Sequence, residues 1–115
     1  MNDDLIRVKH MIDAAEEIIY YSKDKKREDL DKERLLNLSL VHLLEIFGEA
    51  ASRVSVDFQK KYPDIPWREI IDMRNRLIHG YFDIDLDIVW KTIKDEIPPI
   101  NEKLKKIKEM EDKEN

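Results

Sequence analysis

Arg74, Asn75, His79 and Tyr81 fall close together in the stretch RNRLIHGYF. A histidine can move a proton near neutral pH, and an arginine can grip two phosphate oxygens through its planar fork. The pair suits phosphodiester chemistry. Helical phase makes the arginine conspicuous. At about 100° per residue, Trp67, Ile70, Ile71, Leu77 and Ile78 share one broad side of a helix, and Arg74 falls within it, about 20° from Trp67. A guanidinium is almost never buried without a partner, so Arg74 requires an ion pair, a bundle end or an interface. His79 lies about 140° around from Arg74, with Asn75 one turn behind it. Arg68, Asp72, Asn75 and His79 form a polar flank beside the apolar side. Arg76 points away and reads as a surface arginine. Each residue also has a bland reading: His79 as a helix-end histidine near unpaired carbonyls, Arg74 as a satisfied ion pair.

The helix carrying these residues is delimited by its own sequence. Pro63 and Pro66 in KYPDIPW block an earlier helix and allow a new one to start at Pro66. Gly80 offers a stop after His79. Upstream, Leu5, Val8, Ile12, Ala15 and Ile19 recur at helical spacing, with Asp3 and Asp4 at the favourable N-terminal end. YSKDKKREDLD reads as a polar connection; its basic run Lys23, Lys25, Lys26 and Arg27 reads as a solvated loop, with RNA contact as the alternative. From about Lys32 a second helix carries Leu36, Leu40, Leu43, Leu44, Phe47, Ala51 and Val54. Leu35, Leu38, Val41 and Ile46 are apolar too, so this helix faces two neighbours or a second chain. Its small residues Gly48, Ala50, Ala51 and Ser52 permit close helix approach. Glu45 and Glu49, one turn apart, read as helix-pairing groups rather than metal ligands. A fourth helix carries Ile88 or Val89, Trp90, Ile93 and Ile97, and Pro98-Pro99 is expected to break or kink it. Ile100, Leu104, Ile107 and Met110 extend the stripe into a charged tail, about 106–115, expected to fray.

Composition agrees with this outline. Across 115 residues, 42% hydrophobic and 41% charged with two glycines and four prolines favours helices with solvated faces over disorder or an all-β chain. One domain, 1–115, is expected. The net charge of -5 excludes attraction of nucleic acid by the molecule as a whole and leaves it to a local patch. The absence of cysteine excludes disulfides, thiolate zinc sites and a cysteine nucleophile. MNDDLIRVKH has no apolar signal core and no run is expected to reach membrane length, so a cytoplasmic location is expected. His10 and His42 have no partners at metal-binding spacing. Composition and spacing by themselves end at a helical bundle with a candidate anion site.

The order of the letters goes further. Arg74, four residues, His79, one residue and Tyr81, together with LLEIFGEAASRV and KYPDIPWREIIDMRNRLIHGYFDIDLDIVWKTIKDEIPPI, resemble HEPN-domain ribonucleases of the HepT type from about residue 5 to about residue 105. The resemblance implies an all-α, four- to five-helix up-and-down bundle that forms a symmetric homodimer. It implies an endoribonuclease that needs no metal or other cofactor, acting as the toxin of a type VII toxin–antitoxin pair. The implied antitoxin is a minimal nucleotidyltransferase that silences the nuclease by placing AMP on Tyr81. Carried over in the same way, Arg74 and His79 are the expected catalytic residues and Asn75 a positioning residue. The alternative is a non-catalytic helical subunit that binds a nucleotidyltransferase or a nucleotide.

Overall fold

A computed structural model describes residues 2–80 and 84–114. Among the described residues seven α-helices follow one another: α1 (Asn2–Ser22), α2 (Asp29–Lys32), α3 (Arg34–Ser52), α4 (Val56–Lys61), α5 (Trp67–His79), α6 (Leu86–Lys91) and α7 (Ile97–Glu114), with a wide π-turn, Thr92–Glu96, joining the last two. No strand occurs among the described residues. The all-α bundle implied by the resemblance is what the chain adopts.

α1 lies between α3 and α7, and α5 packs on the other side of α3. Two neighbours explain why α3 is apolar around so much of its girth. Among the described residues α3 is the one helix long and apolar enough to cross a membrane by composition, contrary to the sequence expectation. Its Leu40, Leu44, Phe47 and Ala51 are buried inside the bundle. The same central placement shifts the buried face of α1. Met11, Ala14 and Ile18 are buried, whereas Ile12 and Ile19, expected in the stripe, are only half-buried.

α4 was not foreseen. Ser55 caps it by accepting from the Phe58 N–H at 3.2 Å, and Phe58 is buried. The cap is anchored from the far end of the chain: buried Asp4 accepts from the Ser55 N–H at 2.8 Å and its hydroxyl at 2.7 Å. At the start of α6, Asp85 accepts from the N–H groups of Asp87 and Ile88.

Of the break or kink expected at the prolines, the break does not occur: the chain stays helical through them and widens just before them. The Ile97 N–H reaches back five residues to the Thr92 carbonyl, and this widened turn comes immediately before Pro98 and Pro99. A proline ring clashes with the carbonyl four residues earlier and cannot donate to it; widening the preceding turn relieves both problems. α7 then continues to Glu114, with Ile100, Leu104 and Ile107 buried.

The C-terminal turn is held by Glu111, which is 4% exposed. Its carboxylate accepts from the Tyr62 hydroxyl and from Lys61 Nζ, the latter at 2.9 Å. The Tyr62 hydroxyl and the Lys61 ammonium hold the Glu111 carboxyl below its ordinary range, against the opposing effect of burial. A depressed carboxyl stabilises the fold above its unfolded pKa, and that contribution disappears as pH falls through the folded value. Glu111→Ala, which takes the carboxylate partner from the half-buried Tyr62 hydroxyl, is expected to cost roughly 1–2 kcal/mol near neutral pH. The gap between its melting temperature and that of the wild type should narrow below the ordinary carboxyl value of 4.5. Melting curves from neutral to acid pH check the sign.

Candidate functional site

The arginine anomaly is resolved by α3. Arg74 lies on the side of α5 that faces α3, and the α3 backbone makes room for it at Gly48. A Cβ added at Gly48 would stand 2.2 Å from Arg74 Cβ, 2.9 Å from Arg74 Cγ and 3.2 Å from the Ile70 carbonyl oxygen. Any side chain at 48 would occupy the space of the arginine stem. The guanidinium emerges beyond it, with the Arg74 side chain 22% exposed.

Glu49, the next residue of α3, meets it there. Arg74 Nε donates to Glu49 Oε1 at 3.1 Å, and Nη2 donates to the same oxygen. Arg53 Nε donates to Glu49 Oε2 at 2.9 Å. Arg74 Nη1 donates to Asn75 Oδ1 at 2.5 Å. The hydrogen bond from Arg74, then that from Arg53, holds the Glu49 carboxyl below its ordinary range despite partial burial. Glu49 therefore stays ionised near neutral pH, and two cations surround one anion. The local surplus is positive in a chain that is acidic overall.

His79 is the last residue of α5 and is exposed. Among the described residues it makes no hydrogen bond to Arg74 or Asn75. The helix ends there as expected, but Gly80 has φ -125°, so its role is not that of a left-handed cap. Tyr81 lies outside the described residues. Of the residues singled out from sequence, the fold brings Arg74 and Asn75 into contact and leaves His79 at the end of the same helix.

Other sequence candidates fall elsewhere. Lys25 pairs with Glu33, and Arg27 with Asp31 and Asp87, so half of that basic run is tied to carboxylates. His10 and His42 line one groove of about 330 Å³ with Arg7, Glu49, Arg53 and Ile78. His42 Nδ1 is 3.4 Å from Glu45 Oε1. Among the described residues, no three His, Asp or Glu side chains gather as metal ligands.

Sequence reasoning missed the joint role of Gly48 and Glu49. It recognised small residues on α3 and a helix-pairing glutamate, but not that both serve Arg74. The signal was available in the anomaly itself, since an arginine on an apolar stripe demands a carboxylate and space for its stem.

Comparison with known proteins gives a consistent family. The family model described as ribonuclease HepT-like matches residues 11–107. A Methanocaldococcus jannaschii protein described as "Gamma-glutamylcyclotransferase and putative RNase" is 37% identical over 108 residues, covering 94% of this chain and 49% of its own length. The chain thus spans about half of that longer relative. A "Probable ribonuclease HepT" of Thermococcus cleftensis is 36% identical over 96 residues, covering 84% of this chain and 87% of its own. Another M. jannaschii protein, described as "Putative RNase", is 38% identical over 104 residues with 90% of each chain covered. No solved structure matches.

Proposed function

The chain belongs to the HepT-like family of ribonucleases, and from that premise we propose that it is a metal-independent endoribonuclease that cuts RNA at its own 2′-hydroxyl groups. His79 takes the proton of the 2′-hydroxyl as that oxygen attacks the adjacent phosphorus. The bond from phosphorus to the 5′-oxygen breaks, the leaving oxygen receives a proton, and a cyclic phosphate remains. Arg74 binds the phosphate and stabilises the charge that builds in the transition state. Asn75 steadies Arg74. DNA, lacking the 2′-hydroxyl, is not a substrate.

The observation that carries this reading is the placement of Arg74. It lies on the core side of α5 yet its side chain stays 22% exposed, on the same helix as an exposed histidine.

In the proposed system the enzyme is a cytoplasmic homodimer and a toxin, paired with a minimal nucleotidyltransferase as antitoxin. Leu35, Leu38 and Ile46 on α3 and Ile78 on α5 are exposed, which supports a second copy covering apolar surface. The antitoxin transfers AMP from ATP to the Tyr81 hydroxyl with loss of pyrophosphate. A bulky phosphodiester two residues from His79 opposes RNA by charge and by volume.

A second reading, a non-catalytic helical subunit that binds a nucleotidyltransferase or a nucleotide, draws on the Arg74–Glu49 pair. An arginine already held by a carboxylate needs no substrate to account for it.

The test is RNA cleavage in EDTA by purified wild type, Arg74→Ala and His79→Ala, after mass spectrometry has established whether Tyr81 carries AMP. Unmodified wild type is expected to cleave, and both folded variants to fail. Intact RNA with unmodified wild type would favour the binding subunit.

A further inference from the structure

The guanidinium of Arg74 is constrained from several directions. Nε and Nη2 both donate to Glu49 Oε1, and Nη1 donates to Asn75 Oδ1 at 2.5 Å. Among the described residues this leaves one further N–H on each terminal nitrogen. Glu49 is itself steadied, because Arg53 Nε holds its other oxygen at 2.9 Å. The stem is fixed as well, lying against the α3 backbone where Gly48 has no side chain.

We propose that Glu49 is a positioning residue for Arg74, accepting from its Nε side so that the remaining N–H on each terminal nitrogen is presented to a substrate phosphate. The proposal rests on the ribonuclease reading for its substrate. Its physical basis is preorganisation: a long, flexible side chain bound along one edge does not have to find its orientation when the phosphate arrives. The arrangement has an opposing effect. A carboxylate close to the phosphate site repels the substrate, so Glu49 weakens ground-state binding while improving the geometry of the reaction. A residue that served only to hold the fold together would show no such division.

The division is measurable. Glu49→Ala is expected to lower kcat on the order of 100-fold without raising KM, because orientation is lost and repulsion removed. Glu49→Gln keeps an acceptor oxygen without the charge, and should hold kcat within about tenfold of wild type while KM falls. Melting curves check that both variants fold. In parallel, the Arg74 Nε–H signal in ¹⁵N NMR, identified by its absence in Arg74→Lys, reports the orientation directly. It should be protected from water exchange in wild type and Glu49→Gln, and lost in Glu49→Ala.

Wild-type kcat in Glu49→Ala, a raised KM in that variant, or equal Nε–H protection in wild type and Glu49→Ala would overturn the proposal. So would a Glu49→Gln enzyme as slow as Glu49→Ala, since that would make charge rather than geometry the cause. If wild type cleaves and Arg74→Ala does not, the ribonuclease reading stands whatever Glu49 does. If wild type does not cleave, that reading fails, and the NMR measurement with added inorganic phosphate decides the positioning role. A phosphate-dependent shift at Arg74 that disappears in Glu49→Ala supports it, and the same shift in both proteins overturns it.

Discussion

Arg74→Lys is expected to reduce RNA cleavage by roughly 10²–10³-fold, nearly as much as Arg74→Ala, although it preserves the charge. The site uses the arginine along more than one edge. Nε and Nη2 face Glu49, Nη1 faces Asn75, and the reading above assigns the remaining N–H groups to phosphate. A lysine ammonium is a compact point charge at the end of a flexible stem. It can approach Glu49 or the phosphate, but it cannot pair with the carboxylate along one edge and offer a second, fixed edge to the substrate. RNA affinity should fall only a few-fold, because the long-range attraction of one positive charge is unchanged. Fluorescence anisotropy for binding and single-turnover cleavage for chemistry separate the two effects. A lysine variant within tenfold of wild type in rate would show that the planar fork is not what the site uses.

Gly48→Ala is the second substitution with a large expected effect. Helix propensity alone favours it, since glycine in a helix interior is about 1 kcal/mol worse than alanine. Contact geometry opposes it more strongly. The new methyl would meet Arg74 Cβ at 2.2 Å and crowd the Ile70 carbonyl at 3.2 Å. Neither is the far end of a flexible chain, so α5 must move away from α3. Overpacking of this kind costs about 1–3 kcal/mol, leaving a net destabilisation after the propensity gain is subtracted. A fall in melting temperature of roughly 5 °C is expected. Cleavage should fall further than stability, because a displaced α5 carries Arg74, Asn75 and His79 with it. Thermal melting and cleavage rates on the same preparation test both parts. A higher melting temperature would mean that the helices separate at that point without cost.

Much of the fold was legible because the strongest signals were local. Pro63 and Pro66 set the start of α5, and the apolar spacing of Leu40, Leu44, Phe47 and Ala51 marked α3. What escaped depended on packing. The buried stripe of α1 is centred on Met11 and Ile18 because α3 and α7 both lie against it, which no periodicity within α1 can reveal. α4 is short enough that its Ser55 cap counts for more than its apolar pattern. At the site, Arg74 announced itself by being out of place, and Asn75 by adjacency. Glu49 could be identified as its partner only once α3 and α5 were known to be neighbours. Tyr81 lies outside the described residues, so its place rests on the sequence motif.

The π-turn at Thr92–Glu96 gives the last helix an arithmetic of its own. A turn closed across five residues contains one residue more than a regular helical turn needs. A deletion of one residue in α7 between Pro99 and Leu104 would rotate everything after it by about 100° and turn Leu104 and Ile107 out of the core. Chain length is thus a strict variable through α7, and at the π-turn it could change only if Pro98 and Pro99 changed with it. What limits the freedom is Pro98, which would meet the carbonyl of a tightened turn. The surplus residue and the proline pair form a matched set, and a change in one is accommodated only together with the other.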